Sequence, residues 1–470
     1  MIYWHAPRKW SSLAAGEGSA RRRPGRQVSA LTFGVLLLIL ACGGTPAPSG
    51  GATASTQTDV GKVEFLSSQG QAVNEAEGMR KQVLAGFNGT TDFNTSLTGA
   101  QMVPKLLAEH QASKVDIDLV GDIHGDMVPL QAAGALQDLT PLLEKLQKDR
   151  KFNSQLVAYG KMGTQKQYYI PWLQATYMMV VNKKALQYLP KGADVSGLTY
   201  DQLAQWGENM LKGTGEKKIG IPAATGSRGG LLSRFLQGYV YPSYTGGEVT
   251  GFKSPEAVQA WQMVKRLWAV TNPQSTNYGF MQEPLQSGEV WVAWDHQARL
   301  IDALKNLPDQ FQAVPAPSGP KGLGFMSVVA GLAIPVGAPN QKGAEALIDY
   351  LTRPDKQKKT TAVVGFFPVL SDVSVSGKDA PPGVGVEAEA AIKQTNAKKA
   401  LPALLPVGLG AKDGEFSKTY FDTFTRIALH NEDIQTVLSD EAKLLQALLD
   451  TAKAHCWPPD PPSTGTCQVK

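Results

Sequence analysis

The sequence predicts an α/β fold built as two lobes, each a mostly parallel sheet flanked by helices, and three observations carry that prediction. Short apolar runs alternate with segments of helical period. The pattern restarts after Pro171 instead of ending there. The chain has 470 residues, enough for two or three domains at ~150 residues each, and its 42% hydrophobic and 19% charged content is globular.

Residues 1–41 have the build of an export signal, with Arg21, Arg22, Arg23 and Arg26 ahead of the apolar run Leu31 to Ala41. That run is too short for a bilayer, which needs about 20 residues. Ile39-Leu40-Ala41-Cys42 resembles the lipobox of bacterial lipoproteins, which implies cleavage before Cys42 and lipid attachment to its thiol. The alternative is a plain signal peptide followed by an unrelated cysteine. Residues 42–60, almost all Gly, Ser, Thr, Pro and Ala, form a flexible tether. The leader holds six of the 46 Lys and Arg and one of the 41 Asp and Glu, so it accounts for the whole formal charge of +5. The remaining body is balanced and offers no footprint for nucleic acid.

Lys62 to Ser67 alternates like a first strand, and its loop offers Gln69, Gln71, Asn74 and Glu75 before a helix bearing Ala76, Met79, Val83 and Phe87. A second strand falls near Thr91 to Ser96 and a helix over Gln101 to His110. A third strand covers Val115 to Val120, with Asp122 in the loop that follows. Leu130 to Leu146 is helical, divided by Gly134 and Pro141. Pro171 marks the crossing into a second lobe, because proline does not serve a central strand. Trp172 and Tyr177 lie just beyond, and Ala175 to Asn182 is a strand. Tyr200 to Leu211 is a helix, then Ile219 to Ala224 a strand whose loop carries Arg228, then Leu231 to Gly238 a helix.

Ser254-Pro255-Glu256 has the N-cap, first-turn proline and acid of a helix start, and Trp261 and Trp268 fall on that helix's core stripe. Gly288 to Arg299 reads as a buried strand that gives way to a helix, crowding Trp294, Asp295, His296 and Arg299 at its carboxyl end, where ligands of open α/β sheets collect. Asp295 either caps the helix, contacts ligand, or does both. Phe311 to Pro315 and Ser327 to Pro335 are strands that re-enter the first lobe. Helices over Lys342 to Thr352 and from Pro354 to Gly365 precede Phe366 and Phe367, and further helices run through Ala388 to Asn396, Glu415 to His430 and Ile434 to Ala454. With Cys42 acylated, Cys456 and Cys467 remain as a disulfide pair closing a Pro-rich tail outside the cell; a zinc pair using His455 is the alternative.

The chain lacks a G-x-S-x-G elbow, a phosphate-binding loop, a dinucleotide fingerprint and an H-E-x-x-H pair. No catalytic residue, cofactor or metal is therefore assigned. The strand-end loops share amides, carboxylates and guanidinium groups with the rings of Trp172, Tyr177, Trp294, Phe366 and Phe367. Sugars ask for this combination, since their C–H faces stack on rings and their hydroxyls both donate and accept.

Q-M-V-P-K-L-L-A-E-H from Gln101, Y-I-P-W up to Trp172, M-M-V-V-N-K-K-A-L up to Leu186, G-E-V-W-V-A-W, G-L-A-I-P-V-G-A-P-N from Gly331, and A-L-I-D-Y-L-T-R-P-D-K-Q from Ala346 resemble extracellular solute-binding proteins, type 1, of ABC importers, in their sugar-binding lipoprotein branch. The resemblance implies a periplasmic-binding-protein-like (type II) fold whose lobes are joined by hinge strands. Lobe 1 is then residues 61–171 and 296–352, lobe 2 residues 172–295 and 353–455, and the tail 456–470. It also implies a monomer that encloses a carbohydrate and delivers it to permease subunits. Carried over residue by residue, the ligand contacts are Trp172, Tyr177, Trp294 and Asp295, with Gln71, Asp122 and Arg228 from neighbouring loops. Within the same fold a polyamine or metal chelate is the alternative solute. A secreted glycoside hydrolase would need two carboxyl groups across the scissile bond, for which Asp122 and Asp295 are the nominees. A structural surface protein is the third reading.

Overall fold

The computed structural model describes residues 60–470 except 225–230, 377–379 and 410–411. The expected lipidation site Cys42 and the expected ligand residue Arg228 lie outside the described residues. The strands are β1 (Lys62–Ser67), β2 (Thr90–Asn94), β3 (Leu119–Ile123), β4 (Ile170–Asn182), β5 (Ile219–Gly220), β6 (Val292–His296), β7 (Phe311–Val314), β8 (Leu323–Ala333) and β9 (Ala400–Leu404). They form a sheet of order β2-β1-β3-β8-β4-β6-β5, with β7 added on β4 and β9 on β8.

The sheet is mixed where the sequence led us to expect mostly parallel strands. Pairs β1–β2, β1–β3, β5–β6 and β8–β9 are parallel, but β8 runs antiparallel to both β3 and β4, and β4 runs antiparallel to β6 and β7. The cause is the returning chain: β8 enters between β3 and β4 in the opposite sense and couples the two halves of the sheet.

β4 is the strand that passes from one half to the other. Its first part, Ile170 to Thr176, pairs with β8, and its second part, Tyr177 to Asn182, pairs with β6 and β7. The strand begins five residues earlier than its apolar run suggested, and Pro171 lies inside it. A register shift between Pro171 and Leu173 accommodates the proline, because at a bulge the missing N–H leaves no gap in the ladder. β3 is likewise displaced, to Leu119–Ile123. The Asp118 carboxylate instead accepts from the backbone N–H groups of Glu64 at 2.8 Å and Asn340 at 2.6 Å, tying the strand's entrance to β1 and to the chain that follows β8. β9 had no clear sequence signal, since Pro402 interrupts its pattern.

Helices fall close to their expected places. Pro255–Ala269 begins at Ser254, whose Oγ accepts from the Ala257 N–H at 3.2 Å, and it buries Trp261, whose indole N–H donates to the Tyr241 hydroxyl at 2.9 Å. Cys456 and Cys467 are joined by a disulfide. The tail it closes is docked: Trp457 Nε1 donates to Glu248 Oε2 at 2.7 Å, and Asp460 accepts from the backbone N–H groups of Glu248, Val249 and Thr250 at 2.7 to 2.8 Å. Among the described residues no helix is long and apolar enough to cross a membrane.

Candidate functional site

A cavity of about 310 Å³ opens where the carboxyl ends of β1 and β3 face the junction of β4 with β6. Its floor is apolar, formed by Tyr177 on β4, Val328 on β8, Phe366 and Leu405. Its rim is polar and comes mainly from residues at or just before helix starts. Gln69 and Gln71 precede the helix Val73–Gly78, Asp126 lies in the first turn of His124–Ala132, His296 and Arg299 open Gln297–Asn306, and Asp413 begins Asp413–Phe424. Acidic side chains suit the partial positive charge of those first turns. A second cavity of about 240 Å³, walled by Phe325, Phe367, Leu370 and Ile392, receives no charged side chain. The first, at the carboxyl ends of the strands, is the candidate site, with an apolar floor and a few fixed polar groups.

Two of the expected contacts reach this cavity. Tyr177 forms part of its floor, and Gln71 its rim, with Nε2 donating to the Leu97 carbonyl at 3.1 Å. Four others are buried behind the wall. Trp172 is fully buried at the register shift of β4, its ring 5.4 Å from that of Phe65, so it is core and not a platform. Trp294 stacks behind Tyr177 at 5.1 Å with an 8° interplanar angle, and Phe235 and Tyr239 enclose it at 4.9 and 5.2 Å. Asp122 accepts from the Ser68 hydroxyl at 2.5 Å and the Ile123 N–H at 2.8 Å, and it sits against Asp126. Burial raises it to about 6.

Asp295 is also fully buried, accepting from the N–H groups of Met281 and His296, both at 2.6 Å. Burial pushes it up to about 8. The helix cap, one of the two roles open to Asp295, comes instead from His296, whose Nδ1 accepts from the Ala298 N–H at 3.2 Å. Burial holds that imidazole down at about 4, so it is neutral at ordinary pH. With Asp122 and Asp295 both behind the wall, the carboxyl pair nominated for glycoside hydrolysis does not face the cavity.

Gln69, Asp126, Arg234, His296, Arg299 and Asp413 also line the cavity and were not among the expected contacts. Arg234 Nη2 lies 3.6 Å from Asp413 Oδ2, and its Nη1 donates to Gln237 Oε1 at 3.2 Å. Asp126 is raised well above the carboxylate range by burial and by the neighbouring Asp122 and Asp413 charges, with Arg234 opposing. A Cβ at position 99 would meet Asp126 Oδ2, so the glycine found there leaves room for this carboxyl group. Arg299 ion-pairs with Glu75 and lies over the Phe280 ring at 4.7 Å. Burial lowers Arg299 to about 10, which leaves it charged at neutral pH. One available signal was the helix start at Asp413, two residues before the first residue that apolar periodicity picks out.

Fold and site together define a two-lobed, periplasmic-binding-protein-like molecule with its cavity at strand carboxyl ends. Maltose-bound T. maritima MalE3 superposes with a TM-score of 0.66 at 20% identity, covering 83% of this chain and 100% of that one. A chitin oligosaccharide binding protein gives 0.65 at 16% identity, with 82% and 99% covered. UgpB from Mycobacterium tuberculosis in complex with glycerophosphocholine gives 0.63 at 18%, with 83% and 99% covered. No curated protein matches the sequence. The profile of bacterial extracellular solute-binding proteins matches residues 39–358, and the chain belongs to that family. The resemblance read from the motifs is met, and the family places the protein outside the cytoplasm.

Proposed function

We propose that the protein is the lipid-anchored receptor of an ABC importer, that it captures a carbohydrate in the cavity around Tyr177, and that it delivers the solute to permease subunits. The observation that carries this reading is the combination of the Tyr177 and Phe366 rings beneath a rim of Gln69, Gln71, Asp126, Arg234 and Asp413. Rings offer a face to sugar C–H groups, while amide, carboxylate and guanidinium groups match hydroxyls in both hydrogen-bonding senses.

The solute is bound without any bond being made or broken. Gln69, Gln71 and Asp126 come from the chain between β1 and β4, and Arg234 and Phe366 from chain segments beyond the β4 crossing. A ligand that touches both sets favours the closed arrangement through its differential affinity. Cys42 carries the diacylglycerol anchor, and residues 42–60 give the reach needed to meet a permease.

A second reading, a polyamine within the same fold, is favoured by the two carboxyl groups of Asp126 and Asp413 on the rim. The discriminating measurement is a thermal-shift panel of mono- and oligosaccharides alongside amines and metal chelates, in which stabilisation follows ligand concentration over Kd. Shifts confined to amines or chelates would end the carbohydrate reading.

A further inference from the structure

The disulfide-closed tail has no part in solute capture as described so far, but it lies directly behind the cavity wall. One of its attachments is to β9. The Leu404 N–H, at the end of that strand, donates to the Pro458 carbonyl at 3.0 Å. Among the described strands β9 pairs only with β8, so the tail covers part of an otherwise open edge. The next residue, Leu405, belongs to the cavity floor. Pro406 follows, and its carbonyl lies so close to Gly125 that a Cβ there would meet it; Gly125 immediately precedes Asp126 on the rim.

A second attachment is to the helix Asp413–Phe424. The buried Trp457 ring lies 5.3 Å from that of Phe416, which is within one turn of Asp413. The same indole holds the Glu248 carboxyl group, while the Glu248 carbonyl accepts from the Tyr420 hydroxyl at 2.8 Å. Helix, tail and the Glu248 turn therefore meet at one point, and Asp460 fastens the turn through its three backbone N–H groups. Asp413, at the start of this helix, lines the cavity and stands 3.6 Å from Arg234. The far end of the tail is secured as well: the Cys467 N–H donates to the Ala454 carbonyl at 2.8 Å, and Gln446 bonds the Cys467 carbonyl and the Val469 N–H. The disulfide brackets Trp457, Pro458 and Asp460, which limits the freedom these residues would gain by leaving.

We infer that the tail is a positioning element of the solute site: docked through Trp457, Pro458 and Asp460, it fixes Leu405 in the floor and Asp413 at the rim without touching the solute. This rests on the cavity being the solute site and goes beyond the question of which solute enters it. Trp457 and Asp460 are positioning residues, acting through β9 and the helix that Asp413 begins.

Hydrogen exchange followed by mass spectrometry on the full chain tests this without any ligand. Asp460→Asn sets an amide group against the three N–H groups, and Trp457→Ala removes the ring behind Phe416. In both variants, exchange in peptides covering β9 and the helix Asp413–Phe424 should rise at least about tenfold, while β1 and the helix Gly99–Ala112 keep the parent rates. Trp457→Phe keeps a ring against Phe416 and should restore most of the protection; it also serves if the alanine variant does not fold. A rise confined to the tail and the Glu248 turn, or one spread evenly over the chain, overturns the inference. Calorimetric titration with maltose supplies the second readout, with Kd expected to rise at least about fivefold in the two variants. Unchanged maltose affinity alongside faster exchange in the wall overturns the role in the site. A parent that does not bind maltose counts against the carbohydrate reading, and the exchange pattern then decides for or against the tail.

Discussion

Replacing Trp294 by alanine separates two roles that one indole could have: a surface on which ligand lies, or a support behind that surface. The side chain is 3% exposed and touches the rings of Phe235, Tyr177 and Tyr239 at 4.9 to 5.2 Å. Truncating a buried Trp to Ala costs about 3 to 5 kcal/mol through lost transfer energy and the void left behind. Its Nε1 has no hydrogen-bond partner among the described residues, so removing it relieves on the order of 1 kcal/mol. The net expectation is a loss of about 2 to 4 kcal/mol, read as a lower urea midpoint at unchanged slope. Ligand affinity should fall as well, because Tyr177 loses the ring it is stacked on. Trp294→Phe keeps an aromatic support and should retain most of both. If Trp294→Ala lost binding while its stability stayed within about 1 kcal/mol of the parent, the indole would be a contact surface and the packing argument would fail.

Arg299→Ala leaves Glu75 buried without its partner, a change that typically costs about 3 to 5 kcal/mol, and Arg299→Lys should recover part of it; an unchanged melting curve for the alanine variant would show that the pair contributes nothing. Asp295 has a folded-state value of about 8 against an ordinary 3.8, so its protonated form is the one that the fold favours. Its contribution is fully present below the ordinary value and is lost as pH rises through about 8. The difference in urea midpoint between the parent and Asp295→Asn, followed over that interval, should move against the parent as pH rises, and a pH-independent difference would refute the assignment.

Much of the frame was legible before any coordinates. The boundaries of β1 and of the helix from Pro255, the disulfide and the family motifs all rest on local patterns, which sequence carries directly. The mixed sheet was not legible, since strand direction depends on where a distant segment inserts, and β8 inserts 200 residues after β3 begins to need a neighbour (roughly, by chain separation). Arg234 and Asp413 were missed for a related reason. They meet at 3.6 Å, but nothing local ties two first-turn residues of helices so far apart in the chain.

The aromatic candidates show what kind of information was missing. On β6, Trp294 and His296 share a face by the period-2 rule, and sequence reasoning placed both at the strand end. The register then decides between them. Tyr177 pairs with His296, whereas Trp294 pairs one step further in, opposite Met179. Tyr177 and His296 therefore reach the cavity, and Trp294 stacks diagonally behind Tyr177 and is closed off by Phe235 and Tyr239 from the helical segment that follows Leu231. Alternation along a strand fixes which side of the sheet a residue occupies. Its depth below the surface depends on inter-strand register and on the helix laid over that face, and both are long-range. A two-residue step along a strand is about 7 Å, enough to separate a ring that meets solute from one that only holds it in place.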